Sequence, residues 1–330
     1  MEQVNIKNLD IVKFIMAIFV VSLHTLPFYD FEESYLSYLW WILAQSTVPI
    51  FFIISGYLIG YKENINLTAT GTQTGGYIKI SILKNCKVYI LWSMAYMPLA
   101  VWFYVSNNFS VKAAIISYVR ELFLSGQHYN SWILWYILST VYSLIIIYVL
   151  TKLSKNNYYR YLPLLCVCAT ILYFGAHIVL GKTDVNSTIR LLNGCIYIPI
   201  GMLLYKYLNE SKYTNRGLLT VCALGLLVLS IVLQANNTIR FVLDFLIIFL
   251  ATILFLLIIT SKESIPMDTL VFRKISEYVF FLHLYVWTIW YYLMYGQKRF
   301  GFKAFIYTST GTMLLALVVY IIKNRKLKAR

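Results

Sequence analysis

Charged residues are scarce in this chain of 330 residues: they make up 12% of it, whereas hydrophobic residues make up 60%. A soluble domain of this composition could not cover its surface with polar groups, so we exclude that class of protein. Cysteine is also rare, and the five cysteines lie in or beside apolar segments without a spacing suited to zinc. We therefore predict a polytopic membrane protein with no metal site and no disulfide framework.

Apolar runs of about 17–25 residues, the length that a membrane-spanning helix needs, recur along the whole chain. We predict an all-α fold, with the entire chain (1–330) forming one transmembrane domain. No cleavage signature follows the first run, which favours a retained helix over a signal peptide. We expect ten transmembrane helices, at 9–28, 37–60, 86–105, 132–151, 160–180, 188–205, 217–235, 238–260, 275–294 and 303–322.

The net charge of +15 is distributed unevenly between the segments that connect these runs. If the chain starts in the cytoplasm, 20 of the 28 Lys and Arg residues lie on the cytoplasmic side. The positive-inside rule thus predicts that both termini are cytoplasmic. Topology accounts for most of the basic excess, so we predict no nucleic-acid partner. The chain is rich in Ile, Lys, Asn and Tyr, a composition that suggests a low-GC bacterium. We expect a multi-pass protein of the inner membrane of such a cell.

The first apolar run carries two basic groups, Lys13 and His24. Eleven residues at ~100° each make almost three turns, so both side chains lie on one helix face, ~16 Å apart along the axis. Ionisable groups in hydrocarbon are costly and usually mark a pathway or a site. The alternative is that Lys13 reaches to the interface and His24 hydrogen-bonds a neighbouring helix.

Polar residues interrupt the later runs at a few places. Ser55-Gly56 would permit close helix packing, with Tyr57 beside it. The polar segment 64–77 is expected to form a flexible lid and 106–131 an outer loop. Further candidates are the lysines of 79–87, the aromatic stretch 132–136, and Arg190 with Asn193, which could line an outer cavity. Anionic lipids are an alternative partner for the lysines, and an aromatic belt is an alternative role for 132–136.

Taken together, these features resemble the membrane acyltransferase-3 family. The sequence departs from the family pattern at four places. Lys13 replaces an Arg, Ile133 replaces a His and Phe281 replaces a Tyr. Lysines also replace the arginine cluster of the family at 79–87. His128, five residues before Ile133, could substitute for the missing His only if the loop folds back. The motifs that match in order are Asp10-x-x-Lys13 with His24, Phe51 to Leu58, the cluster with Lys84 and Lys87, Leu134-Trp135-Tyr136, and Ser276 to His283.

The resemblance implies an enzyme that moves an acyl group, usually acetyl, from cytoplasmic acyl-coenzyme A to a hydroxyl of an extracytoplasmic glycan or lipid-linked saccharide. It implies that His24 is the general base or transient acyl carrier, with Lys13 polarising the thioester or pairing with a phosphate and Asp10 orienting Lys13. Lys84, Lys87 and Tyr89 would bind acetyl-coenzyme A, the co-substrate. The acceptor would be bound by Ser55, Tyr57, Trp135, Tyr136, Arg190, Asn193 and His283.

The alternative function is transport. The chain also resembles the membrane domain of vancomycin-resistance serine racemases, in which uptake of serine is the assumed role. A transporter of a small polar molecule, or an exporter of a polysaccharide, would have no need of acyl-coenzyme A. Binding of acyl-coenzyme A therefore discriminates the two functions.

Overall fold

The computed structural model describes residues 6–31, 34–70, 75–128, 131–154, 157–180, 188–210, 214–236, 240–261, 269–294 and 299–328. Within these ranges every regular element is a helix, and there is no strand. Short 3₁₀ turns lie at Tyr29–Phe31, Tyr158–Arg160 and Ile189–Leu191. The α-helices are α1 (Ile6–Thr25), α2 (Tyr35–Thr70), α3 (Gly76–Ser106), α4 (Val111–Leu124), α5 (Leu134–Leu153), α6 (Leu162–Leu180), α7 (Leu192–Glu210), α8 (Arg216–Ala235), α9 (Arg240–Ile259), α10 (Leu270–Leu293) and α11 (Phe302–Lys328).

Nine of the helices in the described ranges are long and apolar enough to cross a membrane, as expected of a multi-pass membrane protein. Each of the ten predicted segments falls largely within one long helix. The helix that holds segment 275–294, α10, is not among the nine. Its tyrosines, tryptophans, histidine and glutamate lower its mean hydropathy.

Two connecting segments differ from the predictions. The predicted lid at 64–77 is partly helical, because α2 continues through Thr70 and α3 starts at Gly76. Buried Glu63 accounts for that start, since its carboxylate accepts the backbone N–H groups of Gly75 at 2.5 Å, Tyr77 at 2.9 Å and Ile78 at 3.1 Å. These are donors that the first turn of a helix leaves without an intrahelical partner. The predicted outer loop at 106–131 contains α4.

The chain forms two compact units, of which the first comprises 1–48 and 215–330. Its core lies where α1, α10 and α11 meet and is built from Ala17, Val21, Ile275, Val279 and Ala316. The helices α10 and α11 run in opposite directions, because Val286 contacts Gly311 and the rings of Trp290 and Tyr307 lie 4.9 Å apart. A separate pair in this unit is formed by α8 and α9.

The second unit comprises 49–214. Here α3 packs on α5, α5 on α7, and α6 on α7. α4 folds back along α3, because the Tyr118 hydroxyl donates to the Ser93 carbonyl at 3.1 Å and the Tyr89 hydroxyl donates to the Leu122 carbonyl at 2.6 Å. The second half of α2 packs on α7 through two glycines, Gly56 and Gly201. A Cβ on either glycine would lie 2.1 Å from a backbone oxygen of the other helix, so only glycine permits this approach.

Candidate active site

Two histidines face each other in the first unit. The ring centroids of His24 on α1 and His283 on α10 are 5.2 Å apart. His283 is fully buried, and its Nδ1 lies 3.1 Å from the carbonyl oxygen of Val279. A carbonyl only accepts hydrogen bonds, so this contact places the proton of His283 on Nδ1 and leaves Nε2 with a lone pair. Among the described residues no group hydrogen-bonds that Nε2.

An unsatisfied buried nitrogen of this kind is destabilising, by about 1–3 kcal/mol. Such groups call for an explanation, of which a catalytic role is one; among the described residues, Nε2 of His177 and both ring nitrogens of His128 also have no hydrogen-bond partner. His24 itself is half-buried, so the imidazole pair has one inner and one more accessible member. The arrangement could take up a proton from a bound hydroxyl group.

A buried carboxylate lies near the opposite ends of the same two helices. Asp10 is 3% exposed; its Oδ2 accepts a hydrogen bond from the Thr269 hydroxyl at 3.1 Å, and its Oδ1 lies 3.8 Å from Nε of Arg273. Lys13 follows one turn after Asp10 on α1 and is half-buried. This end of the helix pair is therefore ionic.

The contacts fix the relative direction of α1 and α10. Asp10 lies 14 residues before His24 and Arg273 lies 10 residues before His283, which correspond to ~21 Å and ~15 Å of helix. Because the ion pair joins the starts and the imidazoles meet further along, the two helices run in the same direction. The Gly301 amide donates to the Thr25 carbonyl at 2.9 Å and ties the end of α1 to the chain after α10.

The second unit brings together two of the predicted acceptor-binding residues. The Ser55 hydroxyl donates to the Phe51 carbonyl at 2.9 Å and lies 3.0 Å from the Tyr136 hydroxyl. The Tyr136 hydroxyl also lies 3.4 Å from the Phe51 carbonyl, so either hydroxyl can be the donor in the contact between them. Both residues are partly buried, and their two hydroxyl groups lie side by side.

The other predicted acceptor residues of this unit have different surroundings. Tyr57 is buried and its ring packs edge-on against Tyr205 at 5.6 Å. Trp135 is half-buried, with its ring 6.0 Å from that of Phe52. The Asn193 side chain donates to the Arg190 carbonyl at 3.0 Å, a local contact at the start of α7.

The three predicted donor-binding residues lie on α3. Lys84 and Lys87 are exposed and one turn apart, so their ammonium groups project from one side of the helix and suit a phosphate-bearing ligand. Tyr89 is buried and its hydroxyl is engaged by α4, at the Leu122 carbonyl. The lysine pair therefore fits a coenzyme A phosphate better than Tyr89 does.

Sequence reasoning missed two residues, Arg273 and Glu63. Arg273 was counted only as a topological charge, although an arginine that opens an amphipathic helix could have suggested an ion pair with Asp10. Glu63 is the carboxylate nearest to the Gly75-Gly76 start of α3. His128 does lie in a folded segment: it is 3% exposed, its ring stacks on Tyr118 at 4.1 Å, and burial lowers its pKa to about 4.

Comparison with known protein families gives one match to nearly the whole chain. The model of the acyltransferase-3 family, described as an acyltransferase domain, matches residues 6–323. No solved structure matches the chain significantly.

Curated relatives match a smaller part. An amino-acid racemase of Enterococcus faecalis is 24% identical over 230 residues, which are 66% of this chain and 30% of the racemase. A serine/alanine racemase of Enterococcus gallinarum is 28% identical over 135 residues, which are 38% of this chain and 17% of that protein. The chain thus spans about a third or less of the length of these relatives.

Proposed function

The chain belongs to the acyltransferase-3 family, and from this membership we propose that it is a membrane-embedded O-acyltransferase. It moves an acyl group, acetyl in the first instance, from cytoplasmic acyl-coenzyme A to a hydroxyl of an extracytoplasmic glycan or lipid-linked saccharide. The observation that carries this proposal is the contact between His24 and His283, with a buried Nε2 that no described group hydrogen-bonds.

In this proposal His24 acts as the general base. Its imidazole takes the proton of the acceptor hydroxyl as the hydroxyl oxygen attacks the thioester carbonyl carbon. The carbon–sulfur bond breaks, and the proton passes from the imidazolium of His24 to the departing thiolate. His283 lies beside His24, and its Nε2 lone pair would accept a hydrogen bond from the acceptor.

Acyl-coenzyme A supplies the activated acyl carbon. The exposed lysines Lys84 and Lys87 would bind its phosphates, and Lys13, about 16 Å from His24 along α1, would also pair with a phosphate of the donor. Tyr136 and Ser55 offer hydroxyl groups to a saccharide, and the Trp135 ring offers an aromatic face to a sugar ring.

The proposed orientation has both termini in the cytoplasm of a bacterial cell, with ten spans in its inner membrane. The distribution of Lys and Arg supports it. It also agrees with the directions of the helices in the first unit: α1 and α10 run the same way and α11 runs back, so the start of α1 and the end of α11 lie on one side of that unit.

The test is release of coenzyme A from acetyl-coenzyme A by the purified protein in lipid nanodiscs, measured with a thiol reagent in the presence of a glycan acceptor. We expect His24→Ala to lower the rate by about 10²–10⁴-fold, the usual contribution of a general base. The matched control is His177→Ala, which removes another partly buried histidine, from the candidate span α6, and should leave the rate close to that of wild type. Full activity of His24→Ala would refute the assignment of His24.

Transport of a small polar molecule is the second candidate, favoured by the match to racemases whose names specify amino acids. A chain that carries serine across a bilayer should load proteoliposomes with labelled serine. If the folded wild type shows such uptake and neither binds nor cleaves acetyl-coenzyme A, the transporter replaces the enzyme.

A further inference from the structure

Asp10 and Arg273 form an ion pair in which only one partner is buried. The Asp10 side chain is 5% exposed, whereas that of Arg273 is 47% exposed. Removing a carboxylate from water is costly unless a cation and hydrogen bonds compensate it, and here Arg273 and Thr269 provide both. Asp10 therefore forms an ion pair with Arg273 at the start of α10.

The geometry of the pair leaves part of the guanidinium for another ligand. Asp10 is approached by Nε, at 3.8 Å, which is one of the five N–H donors of the planar group. Almost half of the Arg273 side chain, 47%, remains exposed. A planar fork of N–H groups matches a phosphate by paired hydrogen bonds, which an ammonium group cannot make.

The surroundings of Arg273 are basic. Four lysines belong to this end of α1, α10 and α11: Lys7 and Lys13 lie one turn on either side of Asp10, Lys274 follows Arg273, and Nζ of Lys323 lies 5.8 Å from the Tyr278 ring centre. The described acidic groups on this end are buried Asp10 and exposed Glu277. The local field therefore favours an anion.

We infer that Arg273, paired with Asp10, binds a phosphate group at the ionic end of the α1–α10 pair. The inference rests on the proposed function in one respect: the phosphate is then one of those on the acyl-coenzyme A donor, whose acyl end would extend along the helices toward His24 and His283. The headgroup of an anionic lipid presents the same chemistry at the membrane surface. The role of Arg273 is to bind, and Asp10 is a positioning residue.

The experiment measures binding of ADP and of coenzyme A to the protein in phosphatidylcholine nanodiscs, which contain no anionic lipid. A second arm replaces part of the phosphatidylcholine with phosphatidylglycerol and measures the rise in unfolding temperature. The variants are Arg273→Gln, Arg273→Lys and the double variant Asp10→Asn with Arg273→Gln. The double variant leaves no uncompensated buried charge, so it separates loss of binding from loss of folding.

We expect both glutamine variants to weaken ADP and coenzyme A binding at least about tenfold, and Arg273→Lys to fall between them and wild type because it keeps the charge and loses the fork. In the acyl-transfer assay Arg273→Lys should raise KM for the donor while kcat changes little. The matched control is Arg216→Gln, which makes the same substitution at an exposed arginine that opens α8 in the same unit. Arg216→Gln should bind ADP and coenzyme A as tightly as the wild type does.

The outcomes are distinct. Loss of ADP binding assigns the site to the donor phosphates, whereas unchanged ADP binding with loss of the phosphatidylglycerol effect assigns it to a lipid headgroup. The inference is overturned if neither Arg273 glutamine variant changes ADP binding or the rise in unfolding temperature caused by phosphatidylglycerol, while Lys84→Gln combined with Lys87→Gln abolishes ADP binding. If wild type binds ADP through Arg273 yet transfers no acyl group, the phosphate site stands and the proposed acyltransferase function fails.

Discussion

Replacing Gly56 with alanine should force α2 and α7 apart. A Cβ at Gly56 would lie 2.1 Å from the carbonyl oxygen of Ile198, whereas ordinary contact starts at 3.4 Å. The difference means that the two backbones must separate locally by about 1.3 Å. The obstacle is a backbone carbonyl, which cannot move away by a change of rotamer.

Two opposing energies determine the stability of Gly56→Ala. Overpacking a close-packed interior costs about 1–3 kcal/mol, and a backbone obstacle places Gly56→Ala at the upper end of that range. Alanine in place of glycine inside a helix returns about 1 kcal/mol. We therefore expect a net loss of about 2 kcal/mol in the free energy of unfolding.

The same displacement should reach the candidate site. Ser55 precedes Gly56, and its hydroxyl lies 3.0 Å from that of Tyr136. A shift of more than an ångström would break this contact, so acyl transfer should fall together with stability. Gly201→Ala meets the Ile53 carbonyl at 2.1 Å and should behave in the same way.

The assay is thermal unfolding of the purified protein in detergent, followed by acyl transfer at a temperature at which every variant is folded. The matched control is Gly225→Ala on α8, where a Cβ would meet nothing within 4 Å. It should unfold at the wild-type temperature or above it. If Gly56→Ala is as stable as Gly225→Ala, the close approach of α2 and α7 is wrong.

Three further outcomes follow from single contacts. Burial lowers the pKa of His128 from 6.5 to about 4, because it disfavours the charged imidazolium. The unfolded chain therefore binds this proton at a higher pH than the folded chain does. The free energy of unfolding should be unaffected above pH 6.5 and should fall by up to about 3 kcal/mol as the pH decreases toward 4. His128→Phe keeps the stacked ring and should flatten the profile of unfolding temperature against pH over that window; an unchanged profile would contradict the reasoning. Glu63→Gln removes the charge that caps α3 and should cost about 1–3 kcal/mol in thermal unfolding, whereas an unaltered unfolding temperature would show that the cap contributes nothing. Tyr136→Phe removes the hydrogen bond to Ser55 and should cost about 1 kcal/mol of stability. If the hydroxyl binds the acceptor, the rate of acyl transfer should fall by a larger factor. If the variant and the wild type have the same KM for the acceptor, Tyr136 does not belong to the site.

The positions of the long helices could be predicted because their signal is local. In a bilayer every backbone polar group must be satisfied within its own segment, so an apolar run of sufficient length is nearly sufficient to specify a helix. Segment 37–60, for example, lies inside α2, and segment 132–151 begins two residues before α5. The family membership likewise follows from the order of motifs, and the match over residues 6–323 confirms it.

The connecting segments were predicted less well. Residues 64–70 are rich in Asn and Thr, which favour turns, yet they continue α2. The helix that follows them is capped by Glu63, a side chain 12 residues before Gly75. A cap formed at that separation leaves no local pattern, so residue preferences alone favoured a flexible loop.

The sequence by itself determined that the chain is helical and membrane-embedded, which family it belongs to, and that Lys13 and His24 share one face of the first helix. These properties depend on composition and on the helical repeat, which are local. Only the tertiary structure decided that Arg273 pairs with Asp10, that His283 meets His24, and that Gly56 lies against Ile198. Each of these pairs joins residues more than 100 positions apart, and packing between helices depends on shape and direction that neither helix encodes alone.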